Sequence, residues 1–471
     1  MKKTAKVISA ALAAAMVAGT LVGCAGFGDG SKDSSGDRQV TISVGSWPAK
    51  EGVALDTREA QKAAFEENYP DIKIQPDTWA FELATYYPRA AAGQLPTTYS
   101  FPYTESGKII NGGYARPITE AVKKAGYADL LNDRLLDIVS RDGEIYYLPE
   151  STYLLGLAYN VKLFEQAGLM NEDGTPQVPK SWAEVIEMAQ VIKEKTGAAG
   201  FAIPTSNNAG GWLFTPIAWS FGVNFMSQAE DGSWKAEFNT PEGVAALQFI
   251  KDLKWKYDVF PSSILIDNPE YQKLYATGQL GMIITAPDIT QKVATYEMDP
   301  NEIGMMAMPK GSKRRVSLIG GKLLTVSNKS TDAQVDAAIK WFEYAGISPF
   351  ISDAVKRAQQ NDIDVALSEN RAVGVKQMQI WNKESEVAQN YNKLVEENAN
   401  VNINHFKSYN DSLEDSELEA QSEEPVCAQD LYRILDKCIQ EVLNNEAADC
   451  AALIDNAAKQ FQTNFLDVYE N

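Results

Sequence analysis

The stretch DGEIYYLPESTYLLGLAYNVKLFEQAGL, residues 142–169, contains two short apolar segments rich in aromatic and aliphatic residues. They predict two β-strands, over residues 145–148 and 154–159. Downstream, the pattern Ser181-Trp182-Ala183-Glu184 is typical of a capping box and predicts the start of a helix. One face of that helix would carry apolar side chains, at Trp182, Val185, Ile186, Ala189 and Ile192. This part of the chain therefore predicts strands that alternate with amphipathic helices.

The same alternation precedes this stretch. Residues 40–44 alternate apolar and polar side chains and predict a first strand, which ends at the turn containing Trp47. A helix through residues 60–65 stops before Tyr69-Pro70, and a second strand over residues 72–74 leads to Trp79. Strand, helix and strand in this order predict a parallel βαβ unit. Because ligands bind outside the carboxyl ends of such strands, Trp47 and Trp79 are candidate ligand contacts.

Further elements follow with the same spacing. Thr240-Pro241 predicts a helix start, residues 280–285 predict a short strand, and an apolar stripe over residues 335–342 predicts a helix closed by Gly346. After about residue 376 the chain is helical and acidic. Residues 411–424 are expected to form a charged loop, followed by helices over 426–444 and about 447–467.

The N-terminus has the pattern of a secretion signal. Three lysines precede an apolar run over residues 7–22 that is too short to span a membrane stably, and small residues lead to Cys24. The arrangement resembles a bacterial lipobox, in which the cysteine carries a lipid anchor; a plain signal peptide with a chance cysteine is the alternative. We expect a signal peptide over residues 1–23, lipidation at Cys24 and a flexible tether over residues 24–38.

Composition restricts the possible functions. At 471 residues, with 45% apolar residues, the chain is long enough for two cores. The formal net charge of −20 becomes −23 when the signal and its three lysines are removed. Such a surface repels phosphate backbones, so we do not expect the protein to bind nucleic acids. No second apolar run approaches the length of a membrane span, so membrane contact is expected through the lipid only.

Cysteine and histidine usage weakens the case for metal and hydrolase chemistry. After Cys24, the cysteines are Cys427, Cys438 and Cys450, an odd number that leaves at least one free thiol and favours burial as small apolar residues. His405 is the only histidine, which excludes two-histidine zinc motifs. It is expected on the surface. No cofactor and no metal are predicted.

Several segments, in order, resemble the extracellular solute-binding proteins of ABC importers, specifically the family that binds sugars and oligosaccharides. The resemblance covers residues 40–345 through the order and spacing of short motifs. The strongest motif is the opening stretch with Ser181-Trp182. The others are residues 65–74 (FEENYPDIKI), 91–96 (AAGQLP), 238–242 (FNTPE), 278–282 (GQLGM), Met308-Pro309 and Gly320-Gly321.

The resemblance implies an α/β fold of the type II periplasmic-binding-protein kind, in which two lobes, each a sheet flanked by helices, are joined by a hinge. The N-terminal lobe would comprise residues 39–152 and about 320–375, and the C-terminal lobe residues 153–319 and about 376–471. Crossings are expected near residues 151–156, near 319–322 and somewhere in 370–380. Gly320 and Gly321 are the expected hinge glycines, because glycine permits a close approach of two backbones.

The resemblance also directs attention to cleft residues. Trp212 aligns with a position that stacks on sugar rings, and Tyr153 lies inside the first crossing. Asp288, after the strand at 280–285, and Glu150 are further candidates, because carboxylates accept hydrogen bonds from sugar hydroxyls. The other tryptophans are expected to serve mainly in packing: Trp219, Trp234, Trp255, Trp341 and Trp381.

The resulting hypothesis is a monomeric, lipid-anchored receptor on the extracellular face of a cell membrane, expected to be that of a Gram-positive cell, that passes a carbohydrate to an ABC permease. Alternatives are a receptor for a peptide or polyamine, and a lipoprotein that senses its ligand. A glycosidase would need a carboxylate pair such as Glu150 and Asp288. The resemblance favours binding without catalysis.

Overall fold

The computed structural model describes residues 39–469. The predicted signal peptide, Cys24 and the tether lie outside these residues. Among the helices of residues 39–469, none is both long and apolar enough to cross a bilayer.

The described chain alternates strands and helices. The strands are β1 (Val40–Val44), β2 (Ile72–Pro76), β3 (Thr98–Pro102), β4 (Ser140–Arg141), β5 (Glu144–Ile145), β6 (Tyr147–Leu154), β7 (Gly156–Asn160), β8 (Ala199–Phe201), β9 (Met226–Gln228), β10 (Trp234–Ala236), β11 (Leu280–Thr285), β12 (Ile303–Met306), β13 (Val316–Val326) and β14 (Glu419–Gln421). The helices are α1 (Val53–Asn68), α2 (Leu83–Ala91), α3 (Ser106–Asn111), α4 (Thr119–Lys124), α5 (Leu136–Val139), α6 (Val161–Ala167), α7 (Trp182–Thr196), α8 (Ala209–Phe221), α9 (Pro241–Trp255), α10 (Asn268–Ala276), α11 (Ile289–Ala294), α12 (Asp332–Tyr344), α13 (Asp353–Ser368), α14 (Glu386–Glu397), α15 (Lys407–Ser412), α16 (Ala428–Asn444) and α17 (Cys450–Phe461).

The first lobe is built on a six-stranded sheet with the order β14-β13-β3-β1-β2, in which β6 also pairs with β13. β1 is parallel to β2, with Val40 opposite Ile72, and parallel to β3. Helix α1 packs against β2 and α12 against β1. The predicted parallel βαβ unit is therefore confirmed, and the carboxyl ends of β1, β2 and β3 lie at one edge of the sheet.

The second lobe is built on a four-stranded sheet with the order β12-β7-β11-β8. Helix α7 packs against β8, and the five apolar residues predicted on its inner face are all buried. The capping box is half confirmed: the Ser181 hydroxyl accepts from the N–H of Glu184, but the Glu184 carboxylate accepts from the N–H of Lys180 instead of Ser181. Helices α8, α9, α16 and α17 pack together and join this lobe where the Trp182 indole donates to the Ser220 hydroxyl, at 2.9 Å.

Two long antiparallel strands link the lobes. β6 runs from the first sheet through Leu155 into β7 of the second sheet, and β13 returns from β12. Gly320 pairs with Tyr153 and Gly321 with Thr152. A Cβ atom on Gly320 would lie 2.3 Å from the Tyr153 Oη. Gly321 has a φ of +152°, and a Cβ atom there would lie 2.1 Å from a backbone oxygen. Gly321 therefore requires glycine, whereas a larger residue at Gly320 would have to displace the Tyr153 ring. The role of both as hinge residues stays a prediction.

A third connection passes through residues 374–382, where side chains of both lobes contact it. The N–H of Lys376 donates to Asn410 in α15, which packs on β12 of the second sheet. Farther along, the Asn132 side chain donates to Gln379, and Trp381 packs on Tyr127 of the first lobe. The segment thus touches the second lobe first and the first lobe afterwards, and the predicted lobe boundaries near residue 375 stay a prediction.

Two local expectations are corrected. The predicted charged loop over 411–424 contains β14, which is parallel to β13 with Glu419 opposite Val316. His405 is only 7% exposed, because its polar segment folds against β12 and its carbonyl accepts from the Tyr159 hydroxyl. Burial lowers the pKa of His405. The cysteine prediction is confirmed: Cys427, Cys438 and Cys450 are free thiols, and the last two are buried.

Candidate ligand-binding site

Tyr153 stands on the crossing strand β6, with its ring lying across Gly320 of β13. Its phenol is close enough to Glu423, Asp288 and Tyr103 to interact electrostatically with each of them. Burial raises the pKa of Tyr153, and the two carboxylates raise it further. The hydroxyl therefore stays protonated at neutral pH and can donate a hydrogen bond to a ligand.

Trp212 lies in the first turn of α8, and the carboxylate of Asp436 in α16 fixes that turn. One Asp436 oxygen accepts from the N–H of Asn208 and the other from the N–H of Gly211, both at 2.7 Å. Gly211 also allows α8 to approach the backbone of Tyr432 so closely that a Cβ would lie 2.3 Å from its carbonyl oxygen. Trp212 itself is partly exposed. An acidic side chain satisfies otherwise unpaired N–H groups at a helix start, which holds the indole in position.

Glu423 is a site residue that the sequence reasoning missed. It precedes α16, its carboxylate accepts from the Tyr432 hydroxyl at 2.8 Å, and the Trp212 side chain lies nearby. Burial raises the pKa of Glu423. The only available signal was the pair Glu423-Glu424 beside Pro425, at the end of a segment expected to be a loop. Glu423 thus joins Tyr153 and Trp212 into one cluster.

Asp288 reaches this cluster from the carboxyl end of β11. Its carboxylate is 48% exposed and pairs with Lys292 of α11 at 2.7 Å. Tyr153 is thus an electrostatic neighbour of Asp288 and of Glu423, and Glu423 in turn has Trp212 nearby. The arrangement offers aromatic surface together with carboxylate and hydroxyl groups.

In the first lobe, the candidate ligand contact Trp79 follows β2. The indole is partly exposed, donates to the Thr85 hydroxyl and stacks on Tyr86 with ring centroids 6.3 Å apart. The Arg89 guanidinium lies 5.2 Å from its ring centroid. Trp79 therefore stands at the expected strand end with a fixed orientation, and its contact with a ligand stays a prediction.

Trp47 is corrected from a ligand contact to a core residue. Only 4% of it is exposed, its indole donates to Glu59 of α1 at 2.9 Å, and it stacks on Trp341 of α12 at 6.1 Å. The preceding Ser46 adopts a left-handed backbone with φ 56°. Periodicity placed Trp47 correctly after β1, but the turn directs its ring between two helices.

Glu150 lies apart from the cluster, in the first lobe. It lines a cavity of about 140 Å³ together with Arg58 and Ser46. Burial lowers the pKa of Arg58, and the charge of Glu150 opposes that effect. The charged neighbour of Glu150 is thus Arg58, whereas that of Asp288 is Lys292 in the other lobe. The arrangement gives no support to these two carboxylates as a catalytic pair.

The described part of the chain contains no set of side chains suited to bind a metal ion. Within residues 39–469, no group of three histidine, cysteine, aspartate or glutamate side chains could hold an ion.

Comparison with known proteins identifies the family. Residues 53–346 match the family model of bacterial extracellular solute-binding proteins, which is more than half of the chain. The chain belongs to this family. The cluster around Tyr153 and Trp212 is therefore the candidate solute site of a solute-binding protein.

Curated relatives of this solute-binding protein include putative binding proteins of Brucella abortus and Brucella suis. Each is 25% identical over 277 residues, which cover 58% of this chain and 64% of the relative. The match thus spans less than two thirds of the length of these relatives.

Solved structures share the whole architecture of this solute-binding protein. Maltose-bound MalE3 of T. maritima is 21% identical with a TM-score of 0.62, covering 90% of this chain and 99% of its own. The cyclic α-maltosyl-1,6-maltose binding protein of Arthrobacter globiformis is 21% identical with a TM-score of 0.65 at the same coverage. At these identities the likeness shows the fold, which is the predicted two-lobed α/β architecture.

Proposed function

We propose that this solute-binding protein captures a carbohydrate between its two lobes and delivers it to the permease of an ABC importer. The observation that carries the proposal is the position of Tyr153 on the crossing strand β6, with its ring across Gly320 and with Glu423 and Asp288 as electrostatic neighbours. The names of the similar structures support it, since they include proteins bound to maltose and to cycloalternan.

The chemistry of the cluster suits a sugar. A sugar ring has apolar C–H faces, which pack on aromatic rings, and a rim of hydroxyls, which need donors and acceptors. Trp212 and Tyr153 supply aromatic surface, while Glu423 and Asp288 supply acceptors. Because Asp436 and Gly211 hold Trp212 in place before any ligand arrives, less conformational freedom is lost on binding.

Transport follows from closure in this proposal. A ligand that contacts both lobes binds the closed state more tightly than the open one and shifts the population towards closure. The permease would recognise the closed pair of lobes. The protein would act as a monomer without catalysis, held at the outer face of the membrane by lipid on Cys24.

A polyamine is the second candidate ligand, because the site is acidic. Within residues 39–469, Glu423 forms no ion pair, and its hydrogen-bond donor is the neutral hydroxyl of Tyr432. An ammonium group could pair with it, and burial would strengthen that attraction.

A thermal-shift panel on the full chain tests the proposal. The probes are linear α-glucans, chitin oligosaccharides, spermidine and short peptides. A ligand at 100 times its Kd should add about 2.7 kcal/mol to the free energy of unfolding. A shift with a glycan is the expected result, whereas a shift with spermidine alone would replace the sugar by a polyamine.

Trp212→Ala should abolish the glycan shift while leaving the melting temperature of the free protein within a few degrees. The matched control is Trp255→Ala, which removes a half-buried indole elsewhere in the second lobe and should leave the shift intact. A Trp212→Ala protein that still responds to the glycan would place the ligand elsewhere.

A further inference from the structure

We propose that the ligand site extends outward from Trp212 into a second, tyrosine-lined cavity, whose outer wall is the C-terminal segment 465–469. This cavity would take additional rings of the same oligosaccharide. The inference rests on the proposed function, and it names the ligand as a chain longer than a disaccharide.

The cavity measures about 580 Å³ and lies between the lobes. Its first-lobe side is formed by Tyr87 and Tyr114, and its second-lobe side by Cys427, Phe465 and Tyr469. Pockets for small ligands span about 300–1,000 Å³, so this volume suits a ligand more than trapped water. Its aromatic lining suits the apolar faces of sugar rings.

A lysine holds the two sides together. The Lys108 Nζ lies 4.3 Å from the ring centroid of Tyr87 and 5.1 Å from that of Tyr469. The Tyr87 hydroxyl donates to the Glu105 carboxylate at 3.1 Å. The ammonium group is thus attracted to one aromatic ring from each lobe, and Lys108 adds a donor for sugar hydroxyls to the lining.

The wall formed by residues 465–469 is anchored to the second lobe. The Gln462 side chain accepts from the N–H of Ala236 at 2.8 Å and donates to the Trp234 carbonyl and to Asp467. The Arg433 guanidinium lies 5.5 Å from the Phe465 ring centroid. The segment therefore keeps a defined position, so Tyr469 can serve as a fixed surface for a ligand.

The cavity lies beside the start of α8 that carries Trp212, because Asn208, one turn before Trp212, donates to Gln429 of the second lobe. A smaller cavity of about 150 Å³ also borders Lys108, Cys427 and Tyr469, and it adds Glu105 and Glu424. Gln429 also lines this smaller cavity, and Glu424 is the chain neighbour of Glu423 in the ligand cluster. The two cavities therefore border the ligand cluster on the side of Tyr469, where a linear oligosaccharide could extend.

The test measures binding by calorimetry for the disaccharide and the pentasaccharide of two series, α-1,4-glucan and chitin. The full chain should bind the pentasaccharide of one series at least about tenfold more tightly than the disaccharide. Tyr469→Ala should weaken pentasaccharide binding about five- to tenfold and leave disaccharide binding unchanged. Lys108→Met should act in the same direction.

The control is Tyr257→Ala, which removes a tyrosine that also packs against a lysine, Lys256, at 4.7 Å on the second lobe. It should change neither affinity. If Tyr469→Ala and Lys108→Met change neither affinity while Trp212→Ala abolishes both, the extension is wrong and the proposed function stands. If no glycan of either series binds, both the extension and the proposed function are wrong.

Discussion

Gly320 shows how a single residue can shape the site. A methyl group there would lie 2.3 Å from the Tyr153 Oη and 2.4 Å from the Tyr153 Cζ. Gly320→Ala should therefore displace the Tyr153 ring, destabilise the protein by about 1–3 kcal/mol and weaken ligand binding. Urea unfolding and calorimetry measure the two effects.

Gly107→Ala is the matched control, since its nearest atom would be 3.8 Å away. It lies within helix α3, where alanine should be neutral or stabilising. Adding Tyr153→Ala to Gly320→Ala should recover part of the lost stability, because the clash partner is gone. If the losses in the free energy of unfolding from Gly320→Ala and Tyr153→Ala simply added in the double variant, Gly320 would act through something other than Tyr153.

Glu424 gives a prediction about pH. It accepts from the Trp219 indole at 3.0 Å, and burial raises its pKa to about 7. A carboxyl group whose pKa rises on folding binds more protons in the folded state than in the unfolded state. Its contribution therefore favours the folded state below about pH 4.5, and stability falls as the pH rises towards 7.

Glu424→Gln should remove that pH dependence and raise the free energy of unfolding at pH 7.5 by up to about 3 kcal/mol, because the amide oxygen can still accept from Trp219. Chemical unfolding between pH 4.5 and 8 measures the difference between the two proteins. The exposed Glu446→Gln should follow the wild-type curve. Parallel curves for wild type and Glu424→Gln would show that Glu424 is not responsible.

Residue-level reasoning placed some site residues and missed others for identifiable reasons. The family resemblance directed attention to Tyr153 on a crossing strand and to Asp288 after a strand, and the structure makes them electrostatic neighbours; their contact with a ligand stays a prediction. Trp47 also follows a strand, yet a left-handed turn at Ser46 rotates it into the core, which periodicity does not reveal. Glu423 depends on a partner distant in sequence, Trp212, and no local pattern indicates that pairing.

At the scale of elements, α8 depends on the carboxylate of Asp436 in α16. This group accepts two backbone N–H bonds at 2.7 Å each from the start of α8. Asp436→Ala leaves both donors without their partner and should lower the free energy of unfolding by about 2–4 kcal/mol. It should also weaken glycan binding, because Trp212 loses its fixed position. The measurements are urea unfolding and glycan binding.

Asp430→Ala is the comparison, because Asp430 lies on the same helix and pairs with Arg433 at the surface. Surface ion pairs contribute about 0–1 kcal/mol, so this variant should retain stability and binding. If Asp436→Ala lost stability but bound glycan normally, the capping of α8 would be structural only.

Elements with strong local patterns were predicted well, and those fixed by their neighbours were not. The helices α7 and α9 have capping residues and buried apolar faces, and both form as expected. β14 has the sequence Glu419-Ala420-Gln421, with no apolar alternation. It is a strand because β13 offers it a free edge, and this depends on tertiary structure.

For the whole molecule, the two-lobed fold could be predicted because family motifs mark most of the chain between residues 40 and 345. The third crossing could be expected only somewhere within residues 370–380, because residues 374–382 are held by side chains from both lobes, such as Asn410 and Asn132. Asparagine contacts of this kind leave no periodic signal in the sequence.

Closure of the lobes can be followed through Cys427. This half-buried thiol borders both interlobe cavities, whereas Cys438 and Cys450 are buried. Burial raises the pKa of Cys427 to about 11, so its reaction with a maleimide at neutral pH should be slow and should require opening of the lobes. A saturating glycan should slow the reaction several-fold, because it shifts the population towards the closed state.

Cys427→Ser should remove the glycan-sensitive reaction and identify the residue that is labelled. A second test separates closure from direct shielding by the ligand: Lys108→Met breaks the contact between Tyr87 and Tyr469, so it should speed the labelling of the unliganded protein. Unchanged labelling in both experiments would mean that the contacts around Lys108 do not control access to the cleft. Faster labelling with Lys108→Met and slower labelling with glycan would tie lobe closure to the same tyrosine-lined surface that we propose contacts the ligand.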